Sequence, residues 1–197
     1  MVLVLAGVSL IIGVLLAVVN HITEKPIADK AQKTLAAGIK VVMKSKQIKV
    51  ADPQQVSETI EGKTLDFTIH PCTDLQGKNL GAAVESTTGG FGGDLKILVG
   101  FAPNGEILGY TILETQETPG LGAKADKWFQ EGSKGNVIGK NPKDGVLHVS
   151  KDDKSGNAVD AITASTITSR AFLKAINQAY DVYIQKGKIQ SVASVKK

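Results

Sequence analysis

The chain has 197 residues, 42% of them hydrophobic, and a formal net charge of +4; this length holds one domain plus an accessory segment, and the part beyond residue 50 can bury a substantial core. Arg170 is the lone arginine among 23 basic residues, which weakens a nucleic-acid partner, since such recognition favours arginine forks and exposed aromatics. A lone cysteine, Cys72, and three scattered histidines, His21, His70 and His148, give neither a disulfide framework nor a metal-ligand spacing.

Residues 2–19, VLVLAGVSLIIGVLLAVV, carry no charge and one polar side chain, Ser9. As a helix rising about 1.5 Å per residue they nearly span a hydrocarbon core, so residues 1–20 are expected to form a membrane anchor. A cleaved signal peptide has a shorter apolar run closed by small residues such as A-x-A, a pattern missing here. Lys25, Lys30 and Lys33 follow the run closely, and the positive-inside rule alone would leave the remainder in the cytoplasm. Ile27, Ala31, Leu35, Ile39 and Val42 then recur at helical spacing, which predicts an amphipathic helix with Pro26 near its first turn. The stretch QIKVADPQQVSETIEG breaks that pattern and reads as a linker or domain entry. Residues 21–50 are thus assigned to helix and linker, and 51–197 to the main domain.

The segments NLGAAVESTT and LKILVGFAP have strand character, and Asn104-Gly105 before EILGYTILE predicts a hairpin. Between the first two lies TTGGFGGD, a glycine-rich loop that matches no nucleotide-phosphate fingerprint. Pro119-Gly120 and Gly122 mark a turn carrying Glu117 and Thr118 off a strand edge, and AKADKWFQ resumes helical spacing. Val146–Ser150 gives a short alternating strand, followed by the polar turn KDDKSGN.

Residues 160–172, DAITASTITSRAF, crowd the hydroxyls of Thr163, Ser165, Thr166, Thr168 and Ser169 into seven positions. Phe172, Leu173, Ile176, Ala179, Val182 and Tyr183 follow at helical spacing, so the cluster falls on the first turn of the last long helix. One or two hydroxyls suffice as a cap. A helix start with free amides also suits a phosphate, and extra hydroxyls there can bind one or be esterified by it. Both uses remain open on these residues alone.

The stretch DAITASTITS resembles the D-x-x-[ST]-G-A-T-x-T-[ST] signature of FMN-binding domains that carry flavin as a phosphoester on threonine, among them the RnfG subunits of Rnf electron transport complexes and the NqrC subunits of sodium-pumping quinone reductases. Asp160 and Thr163 match its first two fixed positions and Thr166 the flavin-bearing threonine, with Thr168 and Ser169 completing the tail. Ala164 stands in place of the glycine and Ser165 in place of the alanine. ETPGLG at Glu117–Gly122 and GGFGG before LKILVGF also look like RnfG segments, and an N-terminal anchor before an extracytoplasmic domain is the RnfG layout.

That resemblance implies an α+β fold, a twisted and mainly antiparallel sheet flanked by helices, the last of which brings Thr166 to the sheet edge. It implies covalent FMN on Thr166, contacts from Glu117, Thr118, Leu121 and Gly122, and a backbone wall at Gly89–Gly93. It further implies electron relay inside an ion-translocating ferredoxin:NAD oxidoreductase of the bacterial cytoplasmic membrane, with other Rnf subunits as partners, a separate flavin transferase using FAD and magnesium for maturation, and the flavin domain on the periplasmic or outer face, against the lysine count. A side-chain active site of its own is not expected. An NqrC-like role or a free-standing extracytoplasmic flavin carrier is the alternative among related flavoproteins, and a cofactor-free anchored binding module the alternative outside them.

Overall fold

Helix α1 runs from Val2 to Val42 without interruption, Pro26 included. The structure is a computed structural model that describes the backbone of residues 1–194 and the side chains of residues 1–185. The expected boundary between an anchor and a second helix is therefore a change of surface, from apolar to charged, within one helix. Pro26 forfeits a single i→i−4 bond, a loss that its helix-favouring Ala, Lys and Leu neighbours tolerate. The helix is long and apolar enough to cross a membrane. Its last turn belongs to the second of two compact units, which begins at Gly38; of the expected amphipathic stripe, Ile39 and Val42 are buried while Ile27 is exposed.

The second unit is built on one antiparallel sheet of strands β1 (Lys49–Val50), β2 (Gln54–Ile60), β3 (Lys63–Thr73), β4 (Asn79–Gly89), β5 (Asp94–Phe101) and β6 (Ile107–Thr115). Its order is β1-β3-β4-β5-β6, and β2 pairs with another length of β3. The expected entry segment thus holds two strands. β2 turns into β3 at Glu61-Gly62, both in the left-handed region at φ 53° and 76°, the two-residue geometry whose twist matches paired strands. The predicted β5–β6 hairpin forms, but around a wider loop, in which the Asn104 side chain accepts from Glu106 N–H at 3.0 Å and Gly105 takes the positive φ.

Strand alternation divides the sheet into two buried faces. Phe67, Ile69, Val84, Leu95, Ile97, Val99 and Phe101 point to a main core covered by α3 (Thr166–Ser194). From α3, Phe172 stacks on Phe129 at 4.3 Å and meets Tyr110 edge-on at 4.7 Å. The opposite face takes the end of α1, where the Val42 carbonyl lies so close to Gly100 and Gly109 that a Cβ at either would overlap it. Between β6 and α3 come a short helix α2 (Ala125–Trp128) and a parallel pair, β7 (His148–Val149) with β8 (Ala158–Val159). The strand expected at Val146–Ser150 alternates as anticipated, with Leu147 and Val149 buried, but only two of its residues form a strand, because pairing with β8 is confined to His148 and Val149.

The second face also buries polar groups. Glu85 on β4 lies 2.7 Å from His70 Nε2 and 2.9 Å from Lys96 Nζ, and beside them Cys72 Sγ donates to the His70 carbonyl at 3.3 Å. Burial pushes the Glu85 carboxyl up, but the hydrogen bonds and charges of His70 and Lys96 outweigh it and hold the group below its ordinary value. Burial pushes the Cys72 thiol up.

Glu85→Gln is expected to lower stability by roughly 1 to 2 kcal/mol at neutral pH, since it replaces a buried carboxylate bonded to His70 and to the partly exposed Lys96 with a neutral amide. A carboxyl depressed in the folded state contributes fully above its unfolded value, near 4.5, and loses that contribution as pH falls through the folded one. Urea unfolding of both proteins at pH 7 and at progressively lower pH should show the difference shrinking below pH of about 4.5.

Candidate functional site

Three segments remote in sequence meet where β4 ends and β5 begins: the loop 90–93, the stretch 116–122 after β6, and the start of α3. They line a partly open pocket of about 400 Å³. Register brings them together, since Gly89 pairs with Asp94 and Leu95 with Thr115, placing both loops at one end of the sheet.

Glu117 joins the three. It is 6% exposed. Its Oε1 accepts from the Phe91 N–H at 2.7 Å, and its Oε2 accepts from the Thr168 hydroxyl at 2.8 Å. Both are charge-assisted bonds, stronger than neutral ones. A Cβ added at Gly90 or Gly122 would overlap this carboxylate, which explains a glycine on each side of it. Downstream, the buried Tyr110 hydroxyl donates to the Ala125 carbonyl at 2.6 Å and fixes the exit of the loop.

The crowded hydroxyls prove to have different roles. Ser169, fully buried, accepts from the Ile162 N–H and donates to the Ser165 carbonyl, both at 2.9 Å. Thr168 serves Glu117. Ser165 is buried at 8% exposure, and Thr163 is exposed and off the pocket lining. Thr166 is half-buried at the pocket, as the first residue of α3, with Lys151 Nζ 3.3 Å from its hydroxyl. The first amides of a helix precede its first internal bonds, so this end also offers donors and partial positive charge.

Ala164 stands at φ 61°, a left-handed conformation that disfavours any residue with a Cβ. The glycine of the resembled signature would meet no such penalty, whereas alanine makes this turn at a steric cost.

Of the residues singled out by sequence, Glu117, Thr118, Leu121, Gly122, Ala164, Ser165, Thr166 and Thr168 line the pocket, while Asp160 and Thr163 do not. The Asp160 carboxylate instead accepts from Ser150 Oγ at 2.6 Å, and its carbonyl accepts from Trp128 Nε1 at 2.8 Å. Both bonds brace the segment leading into α3. In the loop expected to give a backbone wall, Phe91 is the residue that lines the pocket. Ile167, 54% exposed, joins Phe91 and Leu121 as an apolar rim. Its exposure at helical spacing from the core positions was the signal available for it. Lys151 sits in a turn whose polar composition marks only solvation.

Comparison with known proteins gives a single direction. Residues 90–181 match a family model described as FMN-binding domain. The chain is 32% identical over 167 residues to the G subunit of the Na(+)-translocating ferredoxin:NAD(+) oxidoreductase complex of Acetobacterium woodii, covering 83% of this chain and 73% of that one. It is 31% identical over 179 residues to the G subunit of the ion-translocating oxidoreductase complex of Yersinia pestis, covering 87% and 82%. The crystal structure of Shewanella oneidensis NqrC superposes with a TM-score of 0.50 at 21% identity, over 71% of this chain and 72% of that one, which supports the α+β fold.

Ala164→Gly is expected to raise stability by about 0.5 to 1 kcal/mol by relieving the left-handed alanine. Gly122→Ala should lower it by about 2 kcal/mol or more through overlap with Glu117. Thermal unfolding of the two variants beside the parent chain reads both signs.

Proposed function

The chain belongs to the family of G subunits of ion-translocating oxidoreductase complexes, and we propose that it is a membrane-anchored flavoprotein electron carrier of such a complex, holding FMN as a phosphoester on Thr166. The observation that carries this reading is the position of Thr166, whose hydroxyl stands at the pocket while its hydroxyl-bearing neighbours are buried, bonded elsewhere or off the lining.

The residues present suit the group. The rim of Phe91, Leu121 and Ile167 offers apolar surface to a fused aromatic ring. Thr166 and the start of α3, with Lys151 beside the Thr166 hydroxyl, offer hydroxyl, amides and cation to a phosphate. FMN, when bound, supplies the electron-transfer chemistry. The chain supplies position and electrostatics. Glu117 holds the Phe91 backbone and the Thr168 side chain at fixed separation, and thereby keeps the ring-facing rim and the attachment point in one frame. Thr118 and Gly122 complete the wall between them.

An ester has a physical use in such a carrier. A pocket open enough to exchange electrons with partners buries too little of a ligand to retain it by contacts alone, and a covalent bond removes the need. In this reading the ester is made by a separate flavin transferase, and helix α1, through residues 1–20, anchors the chain in the cytoplasmic membrane. We place the flavin domain, residues 51–197, on its outer face among the other subunits of the complex, following the family layout over the count of lysines after the anchor.

Co-expression with a flavin transferase, followed by intact-mass measurement and peptide mapping, should give an FMN-sized adduct on the peptide containing Thr166. Thr166→Ala should abolish it and Ser165→Ala should leave it. A full flavin complement retained by denatured Thr166→Ala would remove Thr166 from the role. A C-terminal tag reached by an impermeant reagent on intact cells is expected for the outer-face placement, and a protected tag reverses it.

A further inference from the structure

Beside the Thr166 hydroxyl stands a cation that the threonine motif does not include. Lys151 follows β7, and its Nζ lies 3.3 Å from Thr166 Oγ1. The residues on both sides of Lys151 are fastened. Ser150 donates through its side chain to Asp160 at 2.6 Å and through its N–H to the Val159 carbonyl at 2.8 Å. Asp152 is gripped by Arg170, with Nε at 2.8 Å and Nη2 at 2.5 Å. That guanidinium, hydrogen-bonded to Asp152, holds its carboxyl below the ordinary aspartate value, so the clamp stays charged at neutral pH.

A lysine on a free loop spends rotamer and backbone entropy to stay in one place. Here the backbone is pinned one residue before and one residue after, which leaves only the side chain to be ordered. The same arrangement gives Asp160 a role, because its carboxylate, outside the pocket, holds Ser150 and through it the loop that presents Lys151. It also accounts for the lone arginine, which is paired to Asp152 rather than free to meet a phosphate.

We propose that Lys151 is the phosphate-binding residue of this site, its ammonium pairing with the non-bridging oxygens of a phosphoester on Thr166, and that Asp160 and Arg170 are the positioning residues that hold it there. The inference rests on Thr166 being the point of attachment. Esterification joins Thr166 Oγ1 to the flavin-side phosphorus of FAD, breaks the pyrophosphate bond, releases AMP and sends the hydroxyl proton to solvent. The phosphorus is then one bond beyond the atom that Lys151 already reaches, so its oxygens fall within range of Nζ without movement of the loop. Lysine suits this role because a compact, rotatable ammonium can follow an oxygen whose exact position depends on the ester torsions, where a rigid guanidinium fork cannot.

The test uses the full chain in detergent with flavin transferase, FAD and magnesium, comparing the parent with Lys151→Gln, Lys151→Arg and Thr166→Ala. Lys151 is exposed, so the lysine variants should keep the parent's unfolding temperature. Intact mass against time reads the loading rate, and 31P NMR of loaded protein reads the environment of the phosphoester. Lys151→Gln is expected to load about tenfold more slowly, the scale of one charge-assisted hydrogen bond, and to shift the 31P resonance, while Lys151→Arg, which keeps the charge but not the compact rotatable ammonium, falls between Lys151→Gln and the parent. Asp160→Asn should shift the same resonance in the same direction by a smaller amount. Parent-like loading together with an unmoved resonance in Lys151→Gln overturns the assignment of Lys151, provided Thr166→Ala carries no adduct. An adduct that persists in Thr166→Ala removes the attachment reading instead, and Lys151 with it.

Discussion

The buried carboxylate of Glu117 is the joint on which the site depends. Its two oxygens are committed to a backbone amide at Phe91 and a hydroxyl at Thr168, residues 26 and 51 positions away in the chain. A charge taken out of water is stable only when such partners are in place, so this carboxylate can be buried only where the glycine loop, the ETPGLG segment and the start of α3 have already converged. Gly90 and Gly122 follow from the same constraint, because the carboxylate occupies the space a side chain would need. The glycines in these loops serve the approach of one acidic side chain as much as any ligand.

The sheet gives that convergence a rigid base. Its main face is closed by α3 through Phe172, Leu173 and Ile176, all essentially inaccessible, so the helix that begins at Thr166 is also a wall of the core. Movement of Thr166 relative to Glu117 would require repacking of aromatic stacks, and interiors packed at crystal-like density resist this. Rigid packing ends at the pocket lip, where Phe91, Leu121 and Ile167 stand in solvent. A firm frame with an accessible apolar lip is the geometry a carrier needs to present one edge of a ligand to other proteins.

How much of this could be read from sequence depended on the physical signal each element carries. β4, β5 and β6 were legible because their apolar runs are bounded by glycine and Asn-Gly turns. β2 was not, since QQVSETI is largely polar and its turn uses Glu61 in a left-handed conformation, which a glutamate does not advertise. β3 was hidden by Pro71, a residue that argues against a strand; it lies between the stretch paired with β2, ending at Ile69, and the stretch paired with β1, starting at Cys72. The unbroken α1 was obscured by an abrupt change from apolar to charged composition. In the site, the family resemblance pointed to Thr166 and Glu117, but the division of work among five hydroxyls is a three-dimensional property. Asp160 belongs to the motif and yet faces Ser150, and Lys151 is outside the motif and yet faces Thr166. Sequence order marks which residues recur together and leaves open which of them point the same way.

Cys72 illustrates a consequence of the second sheet face. Its side chain is wholly enclosed, its sulfur donates to a main-chain carbonyl, and burial raises the thiol further from ionisation. Thiolate is the species that oxidants and disulfides attack, and both its population and its access are suppressed here. A chain whose work is to pass electrons is exposed to reactive by-products of that work, and an oxidising compartment would add mixed disulfides. Enclosure within the sheet makes the lone sulfur chemically silent under those conditions, so the folded protein can age in an oxidising setting without a covalent scar.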